Sequence, residues 1–430
     1  MKLLSRYTIG IKYFSFFAGI ALFVSCNKEL PEAKPIETPE ISGETIMEKL
    51  NAPEYSILKA AIEKAGTFTS TTGKLSDILA NREGIFTFFA PDNAAILRSF
   101  WLLGLPEDAS SLNYFRAGQL DSMLKYHLIG GLKLTSGSIA PVAPALNMYL
   151  QSSLMLAPPS ADVPPGYRMP IFLAMQDRMA WVNNVPILQA DIEAANGVMH
   201  KLFAALLPPD KVLWQTIAAN AGGDYDYFKA AVIKADGGDK PDGQFQKALS
   251  TANANFTVLV PTNAAFQQLI TGQITLALVA KGMDLSTASA SASALVAAYG
   301  TTIISNPASI PIYGADLAAA FTPELIQGIL AYHFLIQPHA APVAPVGFRN
   351  FTAHLPATTA VSFPTLVNGS VAAHPGVTLK ANYVEGALTK VSVQGLGNAT
   401  PANMVMTTGN FDLNHINGII DRIDQVLLPQ

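Results

Sequence analysis

Histidines are the side chains of this chain best suited to acid–base or metal chemistry, and they occur at His127, His200, His333, His339, His354, His374 and His415. None of them forms a close cluster with Cys or Glu, and the HExxH, GxSxG and P-loop patterns do not occur. Asp412 lies near His415 and Asp191 lies near Glu193, but short-range pairs of this kind are common in loops. We therefore expect no catalytic residues, no metal and no cofactor. An enzyme with a site assembled from distant residues is left open, and its sign would be a pocket with convergent carboxylates of raised pKa.

Cys26 is the only cysteine, which excludes an intramolecular disulfide and a multi-cysteine metal site. It follows an apolar run, residues 13–24, that comes after Lys2, Arg6 and Lys12. The run is shorter than the roughly 20 residues that a membrane-spanning helix needs, and it has signal-peptide proportions. Residues 22–26, Leu-Phe-Val-Ser-Cys, resemble the lipobox of bacterial lipoproteins. The resemblance implies a signal peptide at 1–25 and diacylation of Cys26, and acylation with more than one chain anchors a protein stably to a membrane.

Residues 26–52 combine prolines and glutamates with few apolar side chains, a composition that favours a flexible tether. Asn27-Lys28-Glu29 resembles the Lys-acidic export signal of surface lipoproteins in the Bacteroidetes, and a plain charged linker is the alternative. We expect an outer-membrane lipoprotein of the cell envelope that is exposed at the cell surface, or else one that faces the periplasm. The net charge of -4 provides no basic face, so nucleic acid is not an expected partner.

Three motifs occur twice in the same order. Residues 85–96 (IFTFFAPDNAAI) and 255–266 (NFTVLVPTNAAF) predict a buried strand that stops at Pro and passes into a capped helix. Residues 120–127 (LDSMLKYH) and 325–333 (LIQGILAYH) have apolar residues at helical spacing. Residues 196–208 (NGVMHKLFAALLP) and 417–429 (NGIIDRIDQVLLP) predict an Asn-Gly turn that leads into an alternating strand.

Together these motifs resemble the fasciclin (FAS1) domain family, with its Thr-x-Phe-Ala-Pro-x-Asn box, its Tyr-His helix end and its closing Asn-Gly strand. The resemblance covers residues 53–209 and 210–430. It implies an α+β fold of two tandem domains, each a β-sandwich or wedge flanked by short helices, with insertions in the second domain near 272–321 and 337–410. It also implies a non-catalytic adhesion protein that binds proteins or glycans. The alternative is an accessory lipoprotein of an outer-membrane complex for polysaccharide capture or uptake.

The resemblance singles out Tyr126, His127, His200, Tyr332 and His333. A histidine at the end of an apolar helical face is usually buried and hydrogen-bonded to a neighbouring loop, so we predict a structural role for these residues. In the second copy, Asp421 stands where the first copy has His200.

Binding is expected instead at features that the two copies do not share. The insertions carry side chains that we expect to be exposed, namely Tyr313, Phe348, Arg349, Phe351 and Tyr383. Aromatic side chains on loops serve the recognition of proteins and carbohydrates because they bury a large amphipathic surface. Trp101 and Trp181 of the first copy are further candidates.

Overall fold

The fold is seen in a computed structural model that describes residues 42–139, 148–156, 165–176, 179–220, 223–336, 349–357, 359–384 and 387–430. The predicted signal peptide, Cys26 and most of the predicted tether lie outside these residues. Residues Gly43–Gln430 form one compact unit. Within it we call residues 43–209 the first half and residues 210–430 the second half.

The folded part begins earlier than the sequence suggests. The Thr45 hydroxyl accepts a hydrogen bond from the Glu48 N–H at 3.2 Å, and the Glu48 carboxylate accepts one from the Thr45 N–H at 2.7 Å. This capping box starts a helix at Ile46–Lys49, because it satisfies two donors that would otherwise be free. Ile46 and Leu50 are 0% exposed in the core. The prediction of a tether at 26–52 is therefore wrong for its last residues.

The first half combines short helices with one mixed sheet. Its helices are Ile46–Lys49, Ser56–Ala65, Leu75–Ala80, Asn93–Leu102 and Ala117–Tyr126, and its strands are β1 (Phe86–Pro91), β2 (Leu128–Gly130), β3 (Met148–Met155), β4 (Arg168–Gln176), β5 (Met179–Val182), β6 (Val185–Ala194) and β7 (Gly197–Leu202). The strand order is β2-β1-β7-β6-β5-β4-β3. β1 and β7 are parallel, although they are the first and last strands of this half.

The second half has more helices, and two four-stranded sheets in place of one sheet of seven strands. Its helices are Leu213–Ala218, Asp226–Ala235, Gln244–Ser250, Asn263–Ala280, Leu285–Tyr299, Thr302–Ser305, Gly314–Ala320 and Pro323–Tyr332, and its strands are β8 (Phe256–Pro261), β9 (Phe334–Leu335), β10 (Val361–Phe363), β11 (Val377–Val384), β12 (Ala387–Gln394), β13 (Ala402–Asn403), β14 (Leu413–His415) and β15 (Gly418–Ile423). The strand orders are β14-β15-β8-β9 and β10-β11-β12-β13, and β8 is parallel to β15. Among the described residues, no helix has both the length and the hydropathy to span a bilayer.

Side chains of β1 and β8 divide between two apolar clusters in each half. In β1, Phe88 and Ala90 pack among the helices, whereas Phe89 packs towards the strands β4 and β5. In β8, Val258 faces the helices and Leu259 faces the strands β10–β13. Successive side chains of a strand point to opposite faces. A strand that carries apolar side chains on both faces can therefore serve both clusters, as expected for the buried strand of the first motif.

The Asn-Gly motif is required by the pairing of the two parallel strands. Gly197 stands opposite Phe86, and Gly418 stands opposite Phe256. A Cβ atom at Gly197 would lie 1.9 Å from the Phe86 carbonyl oxygen, and one at Gly418 would lie 2.3 Å from the Phe256 carbonyl oxygen. Only glycine permits this approach of the backbones.

The two predicted insertions have different structural meanings. The first, near 272–321, adds helices such as Leu285–Tyr299 and Gly314–Ala320. The second, near 337–410, contains β10–β13, which form a sheet of their own, whereas β3–β5 of the first half continue the sheet that holds β1 and β7. The bounds of this second insertion stay a prediction.

Candidate functional site

The Tyr-His pair of the first half lies inside the protein. His127 Nδ1 is 2.8 Å from the Met123 carbonyl oxygen, and Nε2 accepts the Leu206 N–H at 2.8 Å. Burial lowers the pKa of His127 to about 4, so the ring is neutral and its proton is on Nδ1. The Tyr126 hydroxyl donates to the Pro170 carbonyl oxygen at 3.1 Å. These groups connect the end of a helix to β4 and to the chain that leaves β7.

The second half has the same arrangement. His333 Nδ1 is 2.7 Å from the Ile329 carbonyl oxygen, and Nε2 accepts the Leu427 N–H at 3.0 Å. Burial lowers the pKa of His333 to about 4. The Tyr332 hydroxyl donates to the Gly376 carbonyl oxygen at 2.6 Å. Both nitrogens of each ring are occupied within the protein, so neither histidine is free to contact a ligand.

His200 and Asp421 occupy equivalent positions with different chemistry. His200 Nε2 is 2.8 Å from the Leu134 carbonyl oxygen, and Nδ1 accepts the Asp191 N–H at 3.3 Å. In the second half, Asp421 Oδ1 accepts the Asp412 N–H at 2.7 Å. Asp191 and Asp412 both have positive φ, 61° and 51°. An Asp–His pair of the first half thus corresponds to an Asp–Asp pair of the second half.

The pair formed by Asp412 and Asp421 is buried. The Asp412 carboxylate accepts the Thr352 N–H at 2.8 Å and the Thr352 hydroxyl at 2.7 Å, and within the described structure Asp421 Oδ2 has no hydrogen-bond partner. Burial raises the pKa of Asp412 to about 6, and burial together with the Asp412 charge raises the pKa of Asp421 well above its ordinary value. Raised carboxyl pKa values can mark a catalytic site. Here Thr352 holds both Asp412 oxygens and Asp421 is 0% exposed, so we interpret the pair as part of the fold.

Two of the residues predicted to be exposed are fully buried. Arg349 and Phe351 are both 0% exposed, and the expectation that they stand on a binding loop is wrong. The Arg349 guanidinium donates to the Asn255 and Asn414 side-chain oxygens at 3.1 and 2.6 Å, and also to the Ile416 carbonyl oxygen. A buried guanidinium needs such acceptors to replace its hydration.

The other predicted binding residues are scattered. Tyr313 is half-buried and lines an apolar pocket of about 290 Å³ between the helices Asn263–Ala280 and Gly314–Ala320. Tyr383 is half-buried on β11, and Phe348 lies outside the described residues. Trp101 is 61% exposed, and Trp181 is half-buried on β5.

Arg349 and Phe351 instead join the two halves. The Phe351 ring packs on Phe172 of β4 with centroids 6.2 Å apart, and the Arg349 guanidinium lies 5.2 Å from the centroid of the same Phe172 ring. A buried hydrogen bond from Gln176 Nε2 to the Leu355 carbonyl oxygen, 3.0 Å long, lies beside them. No sequence motif indicates this interface, because its members are far apart along the chain.

A cleft of about 770 Å³ opens between the halves. The first half contributes the β5–β6 turn at Asn183 and Asn184 and the segment 203–209. The second half contributes Thr216 and strand β14. Cavities of this size at domain junctions are frequent ligand sites. Among the described residues there is no group of three or more His, Cys, Asp or Glu that could hold a metal ion.

Comparisons with known proteins identify the first half. The fasciclin domain model matches residues 53–208. Transforming growth factor-beta-induced protein ig-h3 from Sus scrofa is 32% identical over 166 residues, which are 38% of this chain and 19% of that protein, and the Oryctolagus cuniculus protein is 28% identical over 166 residues. The match therefore spans about a fifth of these relatives. A FAS1 domain pair from the insect cell adhesion molecule Fasciclin I aligns over 86% of this chain and 97% of its own, with a TM-score of 0.29 and 15% identity. Residues 53–208 therefore belong to the fasciclin domain family, and in the second half the order β14-β15-β8-β9 repeats the order β6-β7-β1-β2, with the same parallel register.

Proposed function

We propose that this chain is a non-catalytic adhesion protein of the cell envelope, held to a membrane by lipid on Cys26. The observation that carries the proposal is the fasciclin domain at 53–208, a family that includes a cell adhesion molecule. The internal arrangement of its motif residues supports it. Both nitrogens of His127 and His333 are bonded within the protein, which leaves the outer surface for binding.

The anchor is proposed from the sequence. Cys26 follows a signal-like apolar run and precedes residues 27–41, and the folded part begins near Gly43. The folded halves would then face an outside partner at the outer surface of the outer membrane.

The helical insertion of the second half is the proposed contact surface for that partner. Tyr313 has a φ of 66°, and such a backbone is uncommon for an aromatic residue and often marks a functional site. Leu276 lines the same pocket, and Ile312 lies next to Tyr313 in sequence; both are strongly exposed. The first half has no corresponding helices among its described residues, so the shared fold does not explain these side chains.

Protease treatment of intact cells tests the anchor and its orientation. We expect the wild-type chain to be digested at the cell surface and Cys26→Ala to be absent from the membrane fraction. Ser25→Ala is the matched control, because it keeps a small residue before an intact cysteine and should behave as wild type. Membrane retention of Cys26→Ala would refute lipid anchoring. Protection of the wild type until the outer membrane is opened would place the protein in the periplasm and refute the surface assignment.

A further inference from the structure

The lining of the cleft between the halves is mostly apolar, and most of its polar side chains are uncharged. His415 Nδ1 is 2.7 Å from the Leu413 carbonyl oxygen, so Nδ1 carries the proton, and Nε2 accepts from the Thr216 hydroxyl at 2.7 Å. Burial lowers the pKa of His415 to about 4, and the ring is neutral at physiological pH. The Thr216 oxygen keeps lone pairs that can accept a hydrogen bond from a ligand.

Amide groups supply further uncharged donors and acceptors. Asn184 is exposed at the mouth of the cleft. The Asn414 side-chain oxygen accepts a hydrogen bond from the Arg349 guanidinium at 2.6 Å, and the same side chain hydrogen-bonds the Tyr126 hydroxyl. Arg349 is buried, so the Asn414 amide is positioned before any ligand arrives. Preorganisation of this kind reduces the entropic cost of binding.

The charge of the lining disfavours an anion. Asp210 and Asp412 line the cleft, and neither Lys nor Arg is among its described lining residues. Thr352 already occupies both Asp412 oxygens. Apolar side chains complete the walls, with Leu102 55% and Phe203 39% exposed. Alternating apolar and uncharged polar surface matches a neutral sugar, whose rings present C–H faces and hydroxyl edges.

An extended peptide fits the cleft less well. A peptide that adds to a sheet needs free backbone groups along the edge strand, and β14 is that edge. The Leu413 carbonyl oxygen already contacts His415 Nδ1, and the Ile416 N–H just after β14 already donates to the Lys211 carbonyl oxygen at 2.9 Å.

We propose that the cleft between the two halves binds a neutral oligosaccharide. This site goes beyond the contact surface proposed above, because none of its described lining residues comes from the helical insertion. It requires both halves, because Asn184 comes from the first and Thr216 and Asn414 come from the second. A single fasciclin domain could not form this site.

The test is calorimetric titration of the full-length protein in detergent solution with hexasaccharides of glucose, mannose, xylose and N-acetylglucosamine, and with hexagalacturonate as the anionic probe. We expect at least one neutral probe to bind, and to bind more tightly than the anionic one. Asn184→Ala should weaken that binding about tenfold, the loss typical of one hydrogen bond. Asn184→Trp should abolish it by filling the mouth of the cleft. Asn113→Ala and Asn113→Trp are the matched controls, because Asn113 is an exposed amide of the first half that lines neither the cleft nor the helical insertion.

Each outcome decides the inference. Absence of binding by every neutral probe, tighter binding of hexagalacturonate, or equal effects of the Asn184 and Asn113 variants would overturn it. Capture of peptides from a random pool in an Asn184-dependent manner would assign the cleft to polypeptides and also overturn it. Because the assay uses purified protein, a failure here leaves the cell-surface result untouched. Loss of surface exposure in intact cells would in turn leave the titration unchanged.

Discussion

Replacement of Asp421 by Asn should change how stability depends on pH. The folded pKa values of Asp412 and Asp421 are raised, whereas an unfolded aspartate titrates near 3.9. Between those values the folded state holds protons that the unfolded state releases. The free energy of unfolding therefore falls as pH rises through this window, and the stability that protonation provides is fully present only below the unfolded pKa.

The magnitude follows from the linkage relation. Each pH unit across the window costs about 1.4 kcal/mol for one carboxyl group held protonated. The amide introduced by Asp421→Asn has no proton to lose, so the stability of this variant relative to wild type should rise with pH by up to roughly 3 kcal/mol between pH 5 and pH 7. The stability difference between the variant and wild type at pH 5 alone is less informative. The introduced amide NH2 would lack a hydrogen-bond partner, as Asp421 Oδ2 does in wild type.

Urea unfolding of wild type and Asp421→Asn at half-unit pH steps measures this slope. Buried neutral histidines such as His333 and His354 also make stability depend on pH, in the opposite direction, but they are common to both proteins and cancel in the difference. Asp191→Asn is the matched control. Partial burial raises the pKa of Asp191, but hydrogen bonds from Ser136 outweigh this and leave the pKa below its ordinary value. The stability of Asp191→Asn relative to wild type should therefore not rise with pH. If the difference in unfolding free energy between Asp421→Asn and wild type did not change with pH, the two aspartates would ionise at their ordinary pKa, and the reasoning would be refuted.

Three further predictions concern packing and hydrogen bonds. His127→Ala leaves the buried Leu206 N–H without its acceptor and should cost on the order of 2 kcal/mol in urea unfolding, whereas an unchanged midpoint would contradict the role given to the ring. Arg349→Ala removes the hydrogen bonds and the ring contact at the junction of the halves and should create new cleavage sites there in limited proteolysis; wild-type protection would contradict the interface. Leu50→Ala should lower the free energy of unfolding by about 2–5 kcal/mol, as expected for a core leucine. A loss below about 0.5 kcal/mol, typical of surface positions, would show that Leu50 belongs to the tether and not to the core.

Much of the fold could be predicted because its signals are local. The apolar run that ends at Pro91 and the Asn-Gly pairs each act within a few residues of their own position. The start of the folded part carried such a signal as well. Thr45-x-x-Glu48 is a capping box. The composition of the surrounding residues, rich in glutamate and proline, nevertheless favoured a tether there.

The cleft and the interface could not be predicted because they depend on contacts between distant residues. Arg349 contacts Phe172 of the first half and Asn255 of the second, and no spacing along the chain shows that these residues meet. A loop position with Phe and Arg looks exposed in the sequence for the same reason. Only the tertiary structure shows that the acceptors for the guanidinium lie inside.

The pairing of the first and last strands has a consequence for biosynthesis. β1 has no parallel partner until β7 has been made, and β8 has none until β15. The Asn196 amide oxygen also accepts the Ile46 N–H, which lies near the start of the same half. Each half of a chain that emerges N-terminus first should therefore stay unfolded until its last strand has been synthesised, because such distant pairings form late. Nascent chains arrested before Gly197 should be protease-sensitive, and chains arrested well beyond Pro209 should protect the first half; resistance of the shorter chains would show that the half closes by another route.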